Sequence, residues 1–263
     1  MGVSRRDALV AVAAATAGIG LQEFRHSREY HPGPGDPRPF YGGPNSAVLP
    51  DRSSPQRAEL IVHWSGVTTT SSVALTFDDG PDPTWTPEVL KVLHDADVPA
   101  TFFLQGRYVK EFPSAHANSA GRHELANHTW DHPDLSHVAF EESLDQLRRC
   151  SLAISDAYGV TPTLFRPPYG HLGGATLAAA AELGLEVTLW SAHFKESAFA
   201  EHPEGIIADV AAHCTAGSII LGHDRGTQQR RIALDRLPQI IDAVKARGLR
   251  FVTVSELIAP TSP

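Results

Sequence analysis

The chain has 263 residues, of which 42% are hydrophobic and 20% are charged. This composition provides for one sizeable folded domain and excludes a globally disordered protein. The formal net charge of −8 argues against a nucleic-acid partner and against binding to an anionic membrane surface. The two cysteines, Cys150 and Cys214, fall in different predicted helices, and two unpaired buried thiols are expected.

The first 25 residues are expected to be an export signal of the twin-arginine type. Arg5 and Arg6 precede a weakly apolar stretch over residues 8–21 that is too short for a comfortable membrane span. A first core helix is the alternative, which the lack of a polar face disfavours. Export would make the mature protein secreted or associated with the cell wall, with no membrane span. Residues 26–70 are rich in Pro, Gly, Ser and His and are expected to be a linker.

From residue 73 onward, short apolar or β-branched runs alternate with amphipathic stretches. A further short strand is expected near residues 60–62. Strands are predicted over residues 73–77, 100–104, 123–126, 163–165, 187–190, 218–221 and 251–254. Helices are predicted from a capping Thr86 and over residues 111–121, 141–158, 175–183, 205–214 and 232–247. This alternation indicates a parallel sheet of about seven β/α units, either closed into a barrel or left open, within one domain over residues 71–260.

Reactive side chains follow the predicted strands. The first strand ends in Asp78 and Asp79, two like charges whose adjacency is tolerable when a cation lies against them. Helix-capping acids in a loop are the alternative for this pair considered alone. Other strands lead into polar segments at residues 127–132, 166–170, 191–196 and 221–224. Since the carboxyl ends of parallel strands meet on one face of a β/α barrel, we expect these side chains to converge.

The histidines at positions 128 and 132 have the spacing of metal ligands. Four residues apart, His128 and His132 face the same way on a helical turn or compact loop. With one carboxylate they form a set of two histidines and one carboxylate with open coordination positions, which suits a catalytic metal. A solvated histidine pair is the alternative, and the nearby aspartates favour the metal. Zn fits this ligand set best, with Co, Ni and Mn as alternatives.

Four motifs in this order resemble those of the polysaccharide deacetylases. They are TFDDG at residues 76–80, HTWDH at 128–132, RPPY at 166–169 and LGH at 221–223. The resemblance spans residues 71–258 and implies a distorted (β/α) barrel of about seven units. It also implies a metal-dependent hydrolase that removes N-acetyl groups from chitin, chitooligosaccharide or peptidoglycan. An acetylxylan-type O-acetyl esterase, or a glycan-binding protein without activity, remains the alternative. The sequence does not indicate an oligomeric state.

The resemblance implies a role for each motif residue. Asp79, His128 and His132 would hold the metal, Asp78 would be the general base with Arg166 beside it, the Tyr169 N–H would stabilise the oxyanion, and His223 would be the general acid. Leu221, Pro168 and Trp190 would line the substrate pocket. Trp130 and Trp190 could stack on sugar rings, although aromatic residues beside strand ends are more often part of the core.

One family motif is altered in this chain. Members usually carry aspartates and a tryptophan after the fifth predicted strand, and one aspartate tunes the general acid or pairs with the arginine. Counting from Trp190, this chain has His193, Glu196 and Ser197 at those places. The hypothesis is that Glu196, whose side chain is one methylene longer, takes over the tuning of His223.

Overall fold

The computed structural model describes residues 60–66, 69–119 and 121–259. The proposed export signal and most of the proposed linker lie outside these residues. Within them the strands are β1 (Val62–His63), β2 (Ser72–Asp78), β3 (Thr101–Leu104), β4 (Glu124–Asn127), β5 (Leu164–Phe165), β6 (Glu186–Thr188), β7 (Ala192–His193), β8 (Ile219–His223) and β9 (Arg250–Val252). The helices are α1 (Trp85–Asp95), α2 (Gly106–Glu111), α3 (Phe140–Tyr158), α4 (Gly174–Glu182), α5 (Gly205–His213), α6 (Gln228–Leu234), α7 (Leu237–Ala246) and α8 (Val254–Ile258).

All nine strands belong to one sheet whose ladders are parallel. The order is β1-β6-β5-β4-β3-β2-β8-β7, and β9 pairs with the first half of β2. This curled sheet with helices around it confirms the predicted distorted barrel. The expected short strand is present as β1, and since it pairs with β6, the sheet begins before residue 71.

Strand β2 lies in the middle of the sheet, and all seven of its residues are buried. Val73, Leu75 and Phe77 pack into the main apolar core beneath helices α1, α5 and α7. Ala74 belongs to a second cluster on the opposite face of the strand. Because side chains alternate along a strand, Asp78 lies on the same face as Ala74, in the interior of the curled sheet. The alternation therefore directs the first aspartate inward.

Several helix boundaries differ from the sequence-based expectation. Helix α1 begins at Trp85 rather than with a capping Thr86. The helix predicted over residues 111–121 was wrong, because α2 ends at Glu111 and turns follow from Pro113, a residue that cannot donate a backbone hydrogen bond inside a helix. The single helix predicted over residues 232–247 is two, α6 and α7.

Besides α2, which precedes the wrongly predicted helix, two elements were not predicted. Strand β7 adds an edge beside β8. Helix α8 begins at Val254, the last residue of the strand predicted over residues 251–254, because Thr253 and Glu256 form a capping box there. The two cysteines are free thiols and buried. Among the helices in the described residues, none combines the length and apolar character needed to cross a bilayer.

Candidate metal centre and active site

Three side chains at the carboxyl edge of the sheet form a candidate metal centre. Asp79 follows β2, and His128 and His132 lie in the loop after β4. The Asp79 Oδ1 atom lies 3.2 Å from His132 Nε2 and 3.6 Å from His128 Nε2. Two ligands bound to Zn at its usual bond lengths and a tetrahedral angle lie about 3.4 Å apart. The three donor atoms therefore lie close enough together to bind one divalent metal ion. The four-residue spacing of the two histidines in the sequence predicted this proximity.

Hydrogen bonds outside this centre orient the two histidines. His128 Nδ1 lies 2.7 Å from the Arg166 carbonyl oxygen, so it acts as the donor and leaves Nε2 facing Asp79. The Asn127 side-chain oxygen accepts from the Thr129 N–H, and the Thr129 hydroxyl accepts from the His132 N–H. These bonds hold Thr129 and His132 at φ 69° and 67°. The loop thus turns both imidazoles toward one point.

Asp78 is held by a buried arginine. Arg166 is fully buried, and its Nη1 donates to Asp78 Oδ1 at 2.7 Å and to Thr76 Oγ1 at 2.8 Å. Its other nitrogens donate to the carbonyls of Thr188 and Leu189. The second oxygen of Asp78 lies 3.7 Å from His128 Nε2. Asp78 is therefore fixed beside the candidate metal ligands with a permanent positive charge on its far side.

The electrostatics of the centre favour an ionised Asp79. Burial opposes the charge on Asp79, but the hydrogen bond and charge of His128 outweigh it and hold the pKa of Asp79 well below its usual range. Burial likewise opposes the charge on His128, whereas the Asp78 and Asp79 carboxylates prevail and raise its pKa. Burial lowers the pKa of His132. A ligand set with an ionised aspartate and a readily neutral His132 is prepared for a cation.

His223 lies next to Asp78 and contacts Glu196. The two residues Asp78 and His223 are register partners at the ends of β2 and β8. His223 Nδ1 lies 3.4 Å from Glu196 Oε1, and both side chains are largely buried. Burial alone would raise the pKa of Glu196, but its hydrogen bond with His223 lowers it. The structure thus places Glu196 beside the histidine for which the sequence proposed it as a partner.

The other predicted site residues, Tyr169 and the pocket residues, do not all lie at the candidate metal centre. Tyr169 has φ 60° and is 62% exposed, and its ring centroid lies 4.8 Å from that of His132. A cavity of about 330 Å³ lies at this point, and Asp79, His132 and Tyr169 all line it. Among the described residues, its lining does not include the other predicted pocket residues, Leu221, Pro168 and Trp190. Leu221 and Pro168 are buried, and Trp190 packs beneath Gly170.

Sequence reasoning missed two contacts of the Asp79 carboxylate. Gln105 Nε2 donates to Asp79 Oδ1 at 2.9 Å, and the Arg230 guanidinium in α6 forms an ion pair with Asp79 Oδ2. Gln105 directly follows β3, so the rule that site residues follow strands could have found it. Arg230 lies within a helix far along the chain, and no sequence pattern identifies it.

A buried aspartate was also missed. The Asp224 N–H donates to the Asp78 carbonyl at 3.3 Å, and its carboxylate accepts from the Thr86 hydroxyl. The same hydroxyl accepts from the Asp82 N–H, so Thr86 joins the β2–α1 loop to the end of β8 instead of capping α1. Burial raises the pKa of Asp224 to about 7.

A curled parallel sheet with an aspartate and two histidines at its carboxyl edge is the arrangement of a metal-dependent hydrolase of glycans. Residues 65–188 match the family model for polysaccharide deacetylases. The chain is 35% identical to a peptidoglycan-N-acetylglucosamine deacetylase of Bacillus cereus over 75% of this chain and 92% of that protein. The chain therefore belongs to the polysaccharide deacetylase family, whose enzymes are metal-dependent hydrolases.

Two further relatives support the assignment. A chitooligosaccharide deacetylase of a Bradyrhizobium species is 40% identical, over 74% of this chain and 94% of that protein. The crystal structure of a peptidoglycan N-acetylglucosamine deacetylase in complex with 4-naphthalen-1-yl-N-oxidanyl-benzamide superimposes with a TM-score of 0.71 and 32% identity. That superposition covers 76% of this chain and 94% of the other. The similarity to these three proteins thus extends over almost the full length of each of them.

Proposed function

We propose that this protein is a metal-dependent N-deacetylase of acetylated amino-sugar glycans. The observation that carries the proposal is the meeting of Asp78, Asp79, His128 and His132 at one edge of the sheet, with the donor atoms of the last three close enough to share an ion. The names of the relatives, which are peptidoglycan and chitooligosaccharide deacetylases, point to an N-acetylated glycan as substrate.

Asp79, His128 and His132 would hold the metal, for which Zn is the best match to two imidazoles and one carboxylate. When bound there, such an ion polarises the acetyl carbonyl and makes the attacking water more acidic. Support for this ligand set comes from the His128 Nδ1 contact with the Arg166 carbonyl, because a second hydrogen bond of this kind fixes the ring nitrogen that faces a metal.

Asp78 would take the proton from the attacking water as general base. The Arg166 guanidinium orients the Asp78 carboxylate, since it donates at 2.7 Å from a fully buried position. The Tyr169 N–H would donate to the oxygen on which negative charge develops. Support for this role comes from the packing of the Tyr169 ring against His132, which keeps Tyr169 beside the candidate metal ligands.

His223 would donate a proton to the departing amine. Its register pairing with Asp78 supports this role, because the proposed acid and base then stand at the ends of neighbouring strands. Glu196 would act through His223 as a positioning residue, because its carboxylate contacts Nδ1 and leaves Nε2 to serve the substrate. Leu221, Pro168 and Trp190 would surround the acetyl group from the buried side of the site.

The proposed organisation has three parts. Residues 71–260 would be the catalytic domain, with the strand before residue 71 completing its sheet. Residues 26–70 would be the linker, and residues 1–25 the signal for export, which would make the protein secreted or associated with the cell wall. Its partner is then an acetylated glycan outside the cytoplasm.

Acetate release tests the function directly. The full-length protein is incubated with chitooligosaccharide, peptidoglycan and acetylated xylan, before and after chelation and after addition of Zn. We expect release from an N-acetylated glycan that chelation abolishes and Zn restores, with the Asp79→Asn protein inactive under all conditions. Release from acetylated xylan alone would establish the O-acetyl esterase, and no release from any substrate by the Zn-loaded protein would contradict both.

A further inference from the structure

The cavity beside the metal centre has a basic wall. Arg107, Tyr108 and Arg225 line the same cavity of about 330 Å³ as Asp79 and His132. The protein carries a formal net charge of −8, whereas this wall of the cavity carries two positive charges. None of the sequence motifs and none of the roles assigned above uses these residues.

The two arginines share one aromatic ring. The guanidinium carbon of Arg107 lies 4.3 Å from the Tyr108 ring centroid, and that of Arg225 lies 3.5 Å from the same point. The face of a tyrosine ring attracts cations, and it gathers these two in a small volume. Both guanidinium groups are thus held at one wall of the cavity, where an anion would be attracted by two positive charges.

The positive charge of this wall is only partly neutralised. Arg225 forms an ion pair with Asp82 at 3.0 Å, whereas Arg107 donates to the Tyr108 hydroxyl and has no acidic partner among the residues that the structure describes. Asp131 also lines the cavity and, within those residues, forms an ion pair with neither arginine, while its Oδ1 accepts from Gln146 Nε2 at 2.7 Å. Asp79 is committed to the metal in the proposed function. Arg107 is therefore the cation of the cavity that is available to a ligand.

We propose that Arg107 and Arg225 form a subsite for a carboxylate on the glycan, so that the enzyme prefers an acetylated glycan bearing an acidic substituent over a neutral one. The proposal rests on the proposed deacetylase function and names its substrate class. Guanidinium groups suit this role because their planar, forked donors match a carboxylate in two parallel hydrogen bonds. The cavity brings this subsite beside Asp79 and Tyr169, where the acetamido group would react.

A matched pair of substrates tests the subsite. The pair is an N-acetylated disaccharide with a free carboxylate and its methyl ester, assayed with the full-length, Zn-loaded protein. We expect kcat/KM to be about tenfold higher for the free acid at low salt, mainly through KM, and the ratio to fall as salt increases. In the Arg107→Gln protein the ratio should approach one.

Arg250→Gln is the control for loss of one positive charge. Arg250 is exposed at the start of β9, at the edge of the sheet opposite the metal centre, and this variant should keep the tenfold ratio. Equal kcat/KM values for acid and ester in the unaltered protein, or an Arg107→Gln protein that keeps the preference, would overturn the subsite while leaving the deacetylase intact.

A binding measurement separates the subsite from the reaction. Calorimetry of the Asp78→Asn protein with each member of the pair reports affinity without turnover. A preference for the free acid that Arg107→Gln removes supports the subsite even if the unaltered protein releases no acetate from either compound, an outcome that would contradict only the proposed function. Equal affinities for acid and ester would overturn the subsite.

Discussion

The Arg166 guanidinium donates to the Asp78 carboxylate at 2.7 Å in a position where both side chains are buried. All of its polar contacts are made inside the protein, with Thr76, Asp78 and two backbone carbonyls. Asp78 therefore has one face fixed by a charge that cannot be lost at ordinary pH, and the other face toward the metal ligands. The position of Asp78, the proposed base, therefore depends on the buried contacts of Arg166 as well as on the residues that line the site.

Replacement of this arginine should destabilise the fold. Arg166→Met leaves Asp78 as an unpaired buried carboxylate, so we expect the free energy of unfolding to fall by about 3–5 kcal/mol, as measured by urea denaturation. Arg250→Met, on the exposed start of β9, serves as the control and should change stability little. A similar, small effect of both substitutions would contradict the structural importance of the buried pair.

Substitution by asparagine should have different effects on metal content at the two adjacent aspartates, Asp78 and Asp79. Asp78→Asn should lower kcat by about 10²–10⁴, the usual contribution of a general base, while the protein retains its metal. Asp79→Asn should lose both activity and metal, because it removes the carboxylate ligand. Metal content by elemental analysis and acetate release give the two readouts. Loss of metal in both variants would refute the division of roles between these neighbours.

The contact between Glu196 and His223 should appear in the pH dependence of the rate. The hydrogen bond with His223 lowers the pKa of Glu196, so the two groups are electrostatically coupled. Glu196→Gln removes the carboxylate from this pair, so the kcat/KM profile against pH should change. Glu201→Gln, an exposed residue in the same loop, should leave the profile in place. An unchanged profile in the Glu196→Gln protein would eliminate the tuning role.

Two buried histidines remote from the site should make the protein sensitive to acid. Burial lowers the pKa of His116 to about 3 and that of His123 to about 4. Their rings pack edge-on against Phe102 at centroid distances of 4.6 and 5.6 Å. The folded state keeps both neutral, whereas the unfolded chain takes up protons below its ordinary histidine pKa of about 6.5. Their contribution to stability is thus full above that pH and is lost as pH falls toward 4 and below.

The dependence of the unfolding free energy on pH should change when one of these two histidines is removed. Each proton taken up only on unfolding changes the free energy of unfolding by about 1.4 kcal/mol per pH unit. His116→Phe keeps the aromatic packing and removes one titrating group, so its unfolding free energy should depend less steeply on pH between about 6 and 4. The same substitution at the exposed His202 should leave the slope unaltered. Parallel curves for His116→Phe and the unaltered protein would disprove this assignment.

The strand-end residues could be predicted because the rule behind them is topological. Once the alternation of strands and helices indicated a parallel sheet, Asp79, His128 and His223 had to lie on one face. Gln105 follows the same rule, since it comes directly after β3, but its neutral side chain gave no chemical signal. For these residues, their position directly after a strand is enough to predict that they lie at the carboxyl edge of the sheet.

The roles of other residues depend on contacts between segments that are far apart in the sequence, and no local sequence pattern predicts such contacts. Thr86 looked like a helix cap, but its hydroxyl joins Asp224 across 138 positions of sequence, and that tertiary bond replaces the capping role. Arg230 reaches Asp79 from 151 positions away. The extra helix α8 could have been read from Thr253 and Glu256, whose spacing is that of a capping box, whereas the apolar residues around it favoured a strand.

Asp79, Thr129, His132 and Tyr169 all have a left-handed backbone, with φ between 60° and 75°. For a residue with a β-carbon this conformation costs roughly 1–2 kcal/mol, and glycine adopts it freely. A descendant released from selection for catalysis could therefore gain stability by single substitutions to glycine at these very positions.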